Sequence, residues 1–220
     1  MSKIALVAGG TGLVGSHLVE LLADNKEYSE VKVLVRKGSK IHGAKLTVLE
    51  IDYDRLSEYE SQLQADVVFC CLGTTMKKAG SKAAFEKVDF TYPLELAKAA
   101  QIHGAKQFHL ITAMGANLES RIYYNQIKGK TEAAIEELNF ENLNIYRPSL
   151  LLGDRKEQRF GERVGTFLSW ILRPFFIEGL KKYRAIHAGV VATAMLHISM
   201  KNLQGTQIFL SDAIQEQGVK

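Results

Sequence analysis

Tyr124 and Lys128 stand four residues apart in the sequence. On a helix they share a face. An ammonium beside a phenol favours the phenolate. Such a tyrosine can exchange a proton with a carbonyl oxygen during reduction. Alone, Y-x-x-x-K is a common surface pair. A second motif near the N-terminus gives it meaning. In Gly9-Gly10-Thr11-Gly12-Leu13-Val14-Gly15, the glycines at 9, 12 and 15 follow a G-x-x-G-x-x-G spacing. The first permits a tight turn, the second lets a pyrophosphate approach the main chain, and the third lets a helix pack on its strand. Thr11 and Leu13 belong to the same turn, where a helix N-terminus would offer free N–H groups to phosphates.

The next residues to weigh lie at the end of the second predicted strand, Leu34-Val35-Arg36-Lys37. NAD binders commonly carry an acid there for the ribose 2′-hydroxyl. This strand end has none. The Arg36 guanidinium suits a 2′-phosphate, and Lys37 adds charge, so the expected cofactor is NADP(H). Asp52 either accepts from the adenine amino group or serves its own turn. Thr112, closing the fifth predicted strand, is the candidate donor to a substrate carbonyl.

These residues need a scaffold that brings them together. Apolar runs at 4–8, 31–35, 46–49, 67–72, 108–112 and 143–146 read as strands. Helical spacing follows Leu13, runs from 55 to 63, from 83 to 102 with a bend at Pro93, and from 122 to 138. Strands alternating with helices imply an α/β, Rossmann-like, doubly wound parallel sheet. Further on, a helix at 159–172, a short strand at 185–187, a helix at 190–200 and a strand at 207–210 are expected. One domain, 1–220, is predicted, with a dinucleotide-binding core over about 1–150 and a small substrate-side lobe over about 151–220.

In combination, FCCLGTT, YNQIKG and RPSLLLGDR, with GGTGLVG and HLITAMGAN, are specific. The chain resembles the atypical branch of the short-chain dehydrogenase/reductase superfamily that contains the Tat-interacting protein. The resemblance implies a Rossmann-like domain, NADP(H), and a Ser/Thr–Tyr–Lys catalytic set. It places Leu72, Gly73 and Thr74 beside the cofactor, and Pro148 to Leu150 near the nicotinamide. Two positions depart from the superfamily. Ala113 stands where a second hydroxyl is common, and Asp89 where many members have asparagine. The first puts the carbonyl donor in question, the second the proton relay through lysine.

Composition limits the alternatives. With 220 residues, 46% hydrophobic and 24% charged, the chain has ordinary globular usage. No stretch approaches the ~20 apolar residues of a membrane span. A net charge of +4 with interspersed acids does not call for nucleic acid. The only cysteines, Cys70 and Cys71, are adjacent and point to opposite faces of a strand, so no disulfide and no metal site is expected. A reducing cytoplasm is the expected compartment. The aromatic residues Phe160, Phe167, Trp170, Phe175 and Phe176 suit a lid or wall over the nicotinamide or plain core, with a protein-docking surface as the rival.

The expected function is reduction of a small carbonyl substrate by hydride from NADPH. Tyr124 would donate the proton, Thr112 would hold the carbonyl, and Lys128 would tune Tyr124 and hold the ribose. The rival is an NADP(H) sensor that docks a protein partner and turns over little. A sugar-nucleotide epimerase ranks last, because little chain follows the sixth strand to build a substrate lobe. The oligomeric state stays open.

Overall fold

The first strand, β1 (Lys3–Ala8), ends in four residues, Ala5 to Ala8, that no water reaches. A strand covered on both faces must be apolar throughout, which is why it reads as a run and not as an alternation. The computed structural model describes residues 2–36, 38, 41–153, 183–201 and 203–219. After β1 come α1 (Leu13–Asp24), β2 (Tyr28–Val35) and β3 (Leu46–Glu50). A 3₁₀ helix (Tyr53–Gln62) leads to β4 (Val67–Cys70). Two short helices follow, α2 (Met76–Ala79) and α3 (Lys82–Glu86), then a π-helical turn (Lys87–Thr91) and α4 (Tyr92–Ile102). The chain continues through β5 (Gln107–Ile111), α5 (Tyr123–Glu136), β6 (Asn142–Arg147) and β7 (Leu151–Leu152). The last elements are β8 (Ile186–His187), α6 (Ala188–Ser199), β9 (Gly205–Leu210) and α7 (Ser211–Gly218).

Seven strands form one parallel sheet in the order β3-β2-β1-β4-β5-β6-β9, while β7 and β8 pair separately. Ala5, Val7, Val67 and Phe69 face a core shared with α1, α6 and α7. Their neighbours Leu6, Ala8, Val68 and Cys70 face the other core, with the 3₁₀ helix, α4 and α5. The expected doubly wound α/β fold is therefore present, with additional helices and strands at its C-terminal end. Strand order reverses between β1 and β4, and ligands of such sheets sit at the carboxyl ends beside that point.

Some local expectations move. The helix predicted over 83–102 breaks before Pro93, at the π-turn. Pro93 instead lies in the first turn of α4, where its missing N–H costs nothing. Strand β5 stops at Ile111, so Thr112 lies just beyond it. Helices α2 and α7 carried too few residues to show a period. The helix expected at 159–172 and the aromatic stretch at 160–176 lie outside the described residues.

Candidate active site

The glycine-rich turn connects β1 to α1 at the switch point. Gly9 has φ +80, and a Cβ there would meet the Cys71 carbonyl oxygen at 2.6 Å and the Leu72 nitrogen at 3.0 Å. Only glycine fits so close to the β4 exit. At Gly15 a Cβ would lie 2.2 Å from the Gly9 carbonyl oxygen, so this glycine brings helix and turn together. Gly10, absent from the expected set, is equally constrained: its Cβ would meet Val33 Cγ1 at 2.5 Å. Gly12 differs. It is exposed, and a Cβ would approach only Gly9 O, at 3.1 Å. Gly12 caps α1 with no side-chain hydrogen bond, and the first turn carries no acid. The leading N–H groups of α1 thus present donors and a partial positive charge beside an open glycine. These features fit the phosphates of a dinucleotide.

Arg36 is exposed at the end of β2, and Lys37 lies outside the described residues. Glu50, at the end of β3, pairs in register with Val35, and its carboxylate accepts the Gly38 N–H at 3.4 Å. A search along β2 alone cannot see a carboxylate brought in by sheet pairing. Asp52 Oδ1 accepts the Asp54 N–H at 3.0 Å and starts the 3₁₀ helix.

On α5, Tyr124 and Lys128 stand one turn apart. Tyr124 is half-buried with its ring against Phe85, centroids 5.5 Å apart. Lys128 is buried, and its ammonium lies 2.7 Å from Asp89 Oδ1. The other carboxylate oxygen of Asp89 accepts the Thr74 N–H at 2.8 Å. A side chain at Gly73 would begin 3.7 Å from Lys128 Nζ. The lysine therefore reaches the loop after β4, at the mouth of the sheet. Burial opposes its charge, but Asp89 and, beyond it, Tyr124 outweigh burial and hold its pKa above the ordinary lysine value. Asp89 sits on the π-turn, and its carbonyl accepts the Thr131 hydroxyl at 2.7 Å. Such turns often mark functional sites.

Thr112 is placed differently from its expected role. It faces α5, where its hydroxyl donates to Glu132 Oε1 at 2.5 Å. Glu132 is also paired with Arg147 of β6, whose Nη2 lies 2.5 Å from Oε2. The hydroxyl proton proposed for a substrate carbonyl is thus committed to a buried carboxylate, and the next residue, Ala113, has none to offer. Glu132 carried no signal in the sequence beyond its helical position. Behind this triad a recess of about 390 Å³ opens between α5 and β9, lined by Ala116, Leu118, Arg147 and Ile208. It is separate from the glycine-rich turn.

The loop after β6 closes the other side. Pro148 is buried, and its carbonyl accepts the Met114 N–H at 2.9 Å, tying it to the β5 exit. Ser149 N–H donates to Ser211 Oγ at 2.7 Å, and the Leu150 carbonyl accepts from Ile186 at 2.9 Å. Among the described residues, no three His, Cys, Asp or Glu side chains gather as a metal site, and no helix is long and apolar enough to cross a membrane. The two cysteines face opposite cores; burial raises the Cys70 thiol pKa to about 12.

A family model described as the NAD dependent epimerase/dehydratase family matches residues 5–213. The chain belongs to that family. Its members define it as an NAD(P)-dependent, oxidoreductase-like Rossmann protein. Protein HTATIP2 of Rattus norvegicus is 37% identical over 186 residues, covering 80% of this chain and 71% of that one. The resemblance to the Tat-interacting branch is thereby shown. Protein fmp52, mitochondrial, of Emericella nidulans is 33% identical over 214 residues, 93% of this chain and 90% of that one. Among solved structures, MoeE5 in complex with UDP-glucose and NAD superposes with a TM-score of 0.69 at 16% identity, covering 93% of this chain and 74% of that one.

Two expectations are corrected by these findings. NADP(H) is overturned: the family is described as NAD dependent, and neighbours of the same fold are complexes with NAD. An acid-free end of β2 and a cationic Arg36 do not by themselves define a site for a 2′-phosphate. The cytoplasmic placement is overturned by a series of fungal relatives named as mitochondrial.

Proposed function

We propose that the protein is an NAD-dependent oxidoreductase that moves a hydride to or from a carbinol or carbonyl carbon of a small molecule. The buried Lys128–Asp89 pair, poised beside Gly73 one helical turn from Tyr124, is the observation that carries this reading. The glycine-rich turn and the α1 N-terminus would hold the pyrophosphate, with Leu72, Gly73 and Thr74 along one wall and Pro148 to Leu150 along the other. Bound NAD supplies the hydride acceptor or donor. Tyr124 moves the proton at the substrate oxygen. Lys128 stays protonated through Asp89 and offers its remaining hydrogens to a ribose hydroxyl. Residues 1–150 would form the dinucleotide-binding core and 151–220 the substrate side.

A nucleotide sugar is the first substrate to test, because the family name and the UDP-glucose complex of MoeE5 favour it. A second reading, a dinucleotide sensor with little turnover, is favoured by Thr112 and Ala113, which leave no free hydroxyl at the β5 exit. Calorimetric titration with NAD, followed by turnover assays over UDP-sugars, aldehydes and ketones, tests both. Binding with turnover supports the enzyme. Tight binding with silence across the panel supports the sensor. No binding of NAD removes both.

A further inference from the structure

Strand β9 ends the sheet beyond β6, and among the described residues no strand pairs with its outer side. The Gly205 N–H donates to the Glu141 carbonyl at 2.9 Å, and the strand keeps register with β6 from Asn142 to Arg147. Backbone groups alternate in direction along a strand. Gly205, Gln207 and Phe209 therefore bond β6, while the N–H and C=O groups of Thr206 and Ile208 point away from the sheet. Native proteins guard such an edge with a charge, a proline or a bulge. The run Gly-Thr-Gln-Ile-Phe-Leu has no charge and no proline, and its ladder with β6 has no bulge.

The recess between α5 and β9 opens against this edge, with Ile208 in its wall. Ile208 is 49% exposed, and Leu118, from the loop after β5, is 52% exposed. Ala116, Ala133 and Ile145 extend the apolar lining. Glu132, Glu136 and Arg147 are its charged residues. Arg147 is spent on Glu132, to which it donates through Nε and Nη2. Glu136, one helical turn further on, is exposed and forms no ion pair among the described residues. The lining is left with a net negative charge beside its apolar wall, in a chain whose net charge is +4.

We propose that this edge docks an extended segment of a partner protein, which adds to the seven-stranded sheet beside β9, lays an apolar side chain against Ile208 and Leu118, and brings a Lys or Arg to Glu136. Main-chain bonds to Thr206 and Ile208 supply the pairing, and the recess supplies the selectivity. Side chains on one face of a strand recur every second residue, so the apolar and basic residues of the partner stand two apart. A second copy of this chain is the poorer occupant, because β9 has no basic residue to meet Glu136. The surface is separate from the glycine-rich turn and needs no bound dinucleotide.

The test is phage selection, on the intact protein, of heptapeptides that alternate Thr with randomised residues. Selected peptides should carry an apolar residue and a Lys or Arg two positions apart. Their affinity is then read by fluorescence polarisation of the labelled peptide. Ile208→Pro removes only an N–H that points away from β6, and should weaken binding about ten-fold. Glu136→Lys reverses the charge at the recess and should also weaken it about ten-fold, with the melting temperature and NAD affinity unchanged. Selection that enriches nothing, or enriches acidic residues, overturns the proposal. Equal peptide affinity in Glu136→Lys and the unmodified protein overturns it as well, and this variant decides alone if Ile208→Pro does not fold. A dimer in light scattering that Ile208→Pro splits also overturns it, because a second copy then occupies the edge.

Discussion

Asp89 Oδ1 lies 2.7 Å from Lys128 Nζ, with side-chain exposures of 0% and 5%. The pair joins the π-turn ahead of α4 to the middle of α5, and through Thr74 N–H it also holds the loop after β4. Three chain segments thus meet at one carboxylate. Buried ion pairs seldom add net stability, because each charge loses its water. Here the pair fixes a charged lysine at the mouth of the sheet. An asparagine, which the resemblance places here in many superfamily members, could orient the lysine but not balance its charge.

Removing one partner should be expensive. Asp89→Asn should lower unfolding stability by about 3 kcal/mol, because an ammonium is left buried without its counter-charge. In the double variant with Lys128→Met, the total loss should fall well short of the sum of the two single losses. Urea denaturation of all four proteins gives the coupling. Simple additivity would show that the two groups do not depend on each other.

The glycines of the turn make different predictions. Gly15→Ala places a Cβ 2.2 Å from the Gly9 carbonyl, so the turn must move and the protein should be markedly destabilised. Gly12 has φ −81 and ψ 175, extended angles that any residue adopts, and its Cβ meets only Gly9 O. Gly12→Val should therefore fold, yet fill the space at the α1 N-terminus. Thermal stabilisation by NAD, which depends on binding the native state, should vanish in this variant. If stabilisation persists, the phosphates bind elsewhere.

His109 gives the fold a pH dependence. It is fully buried between Phe69 and Tyr146, with Nδ1 2.9 Å from the Tyr146 hydroxyl. Burial first, and the charge of Lys3 second, push its pKa down from 6.5 to about 3. Below pH 6.5 the unfolded chain takes up a proton that the native state refuses. Its contribution is therefore present above pH 6.5 and is lost progressively as the pH falls toward 3. The slope approaches at most about 1.4 kcal/mol per pH unit. Urea midpoints should decline from pH 7 to pH 5, and His109→Gln should flatten that decline. A flat profile in the unmodified protein would contradict a neutral buried imidazole.

The parallel sheet was legible because buried strands are apolar runs and their helices carry a clear period. The glycine turn was legible because backbone approach leaves a mark in residue type: glycine has no substitute at Gly9. Tyr124 and Lys128 were legible through local spacing. What escaped detection depends on pairing between distant segments. Glu50 reaches the end of β2 only through sheet register. Thr112 misled for a related reason. Its residue type suits a carbonyl donor, but its hydroxyl is taken up by Glu132, twenty residues away.

That geometry separates two substitutions that the sequence alone would group together. Thr112→Ala removes the donor at 2.5 Å from Glu132 and leaves Arg147 as the partner of that buried carboxylate. The cost should appear in stability, about 1–2 kcal/mol, with turnover nearly unchanged. Tyr124→Phe removes the proton donor but keeps the ring against Phe85. Stability and NAD affinity should stay near those of the unmodified protein, while turnover falls by ~10²–10⁴-fold. Both variants are to be compared on the best substrate of the panel, with urea unfolding run in parallel. If Thr112→Ala abolishes turnover while stability holds, its hydroxyl must leave Glu132 for the substrate during the reaction. If Tyr124→Phe turns over normally, another group moves the proton and Tyr124 loses its assigned role.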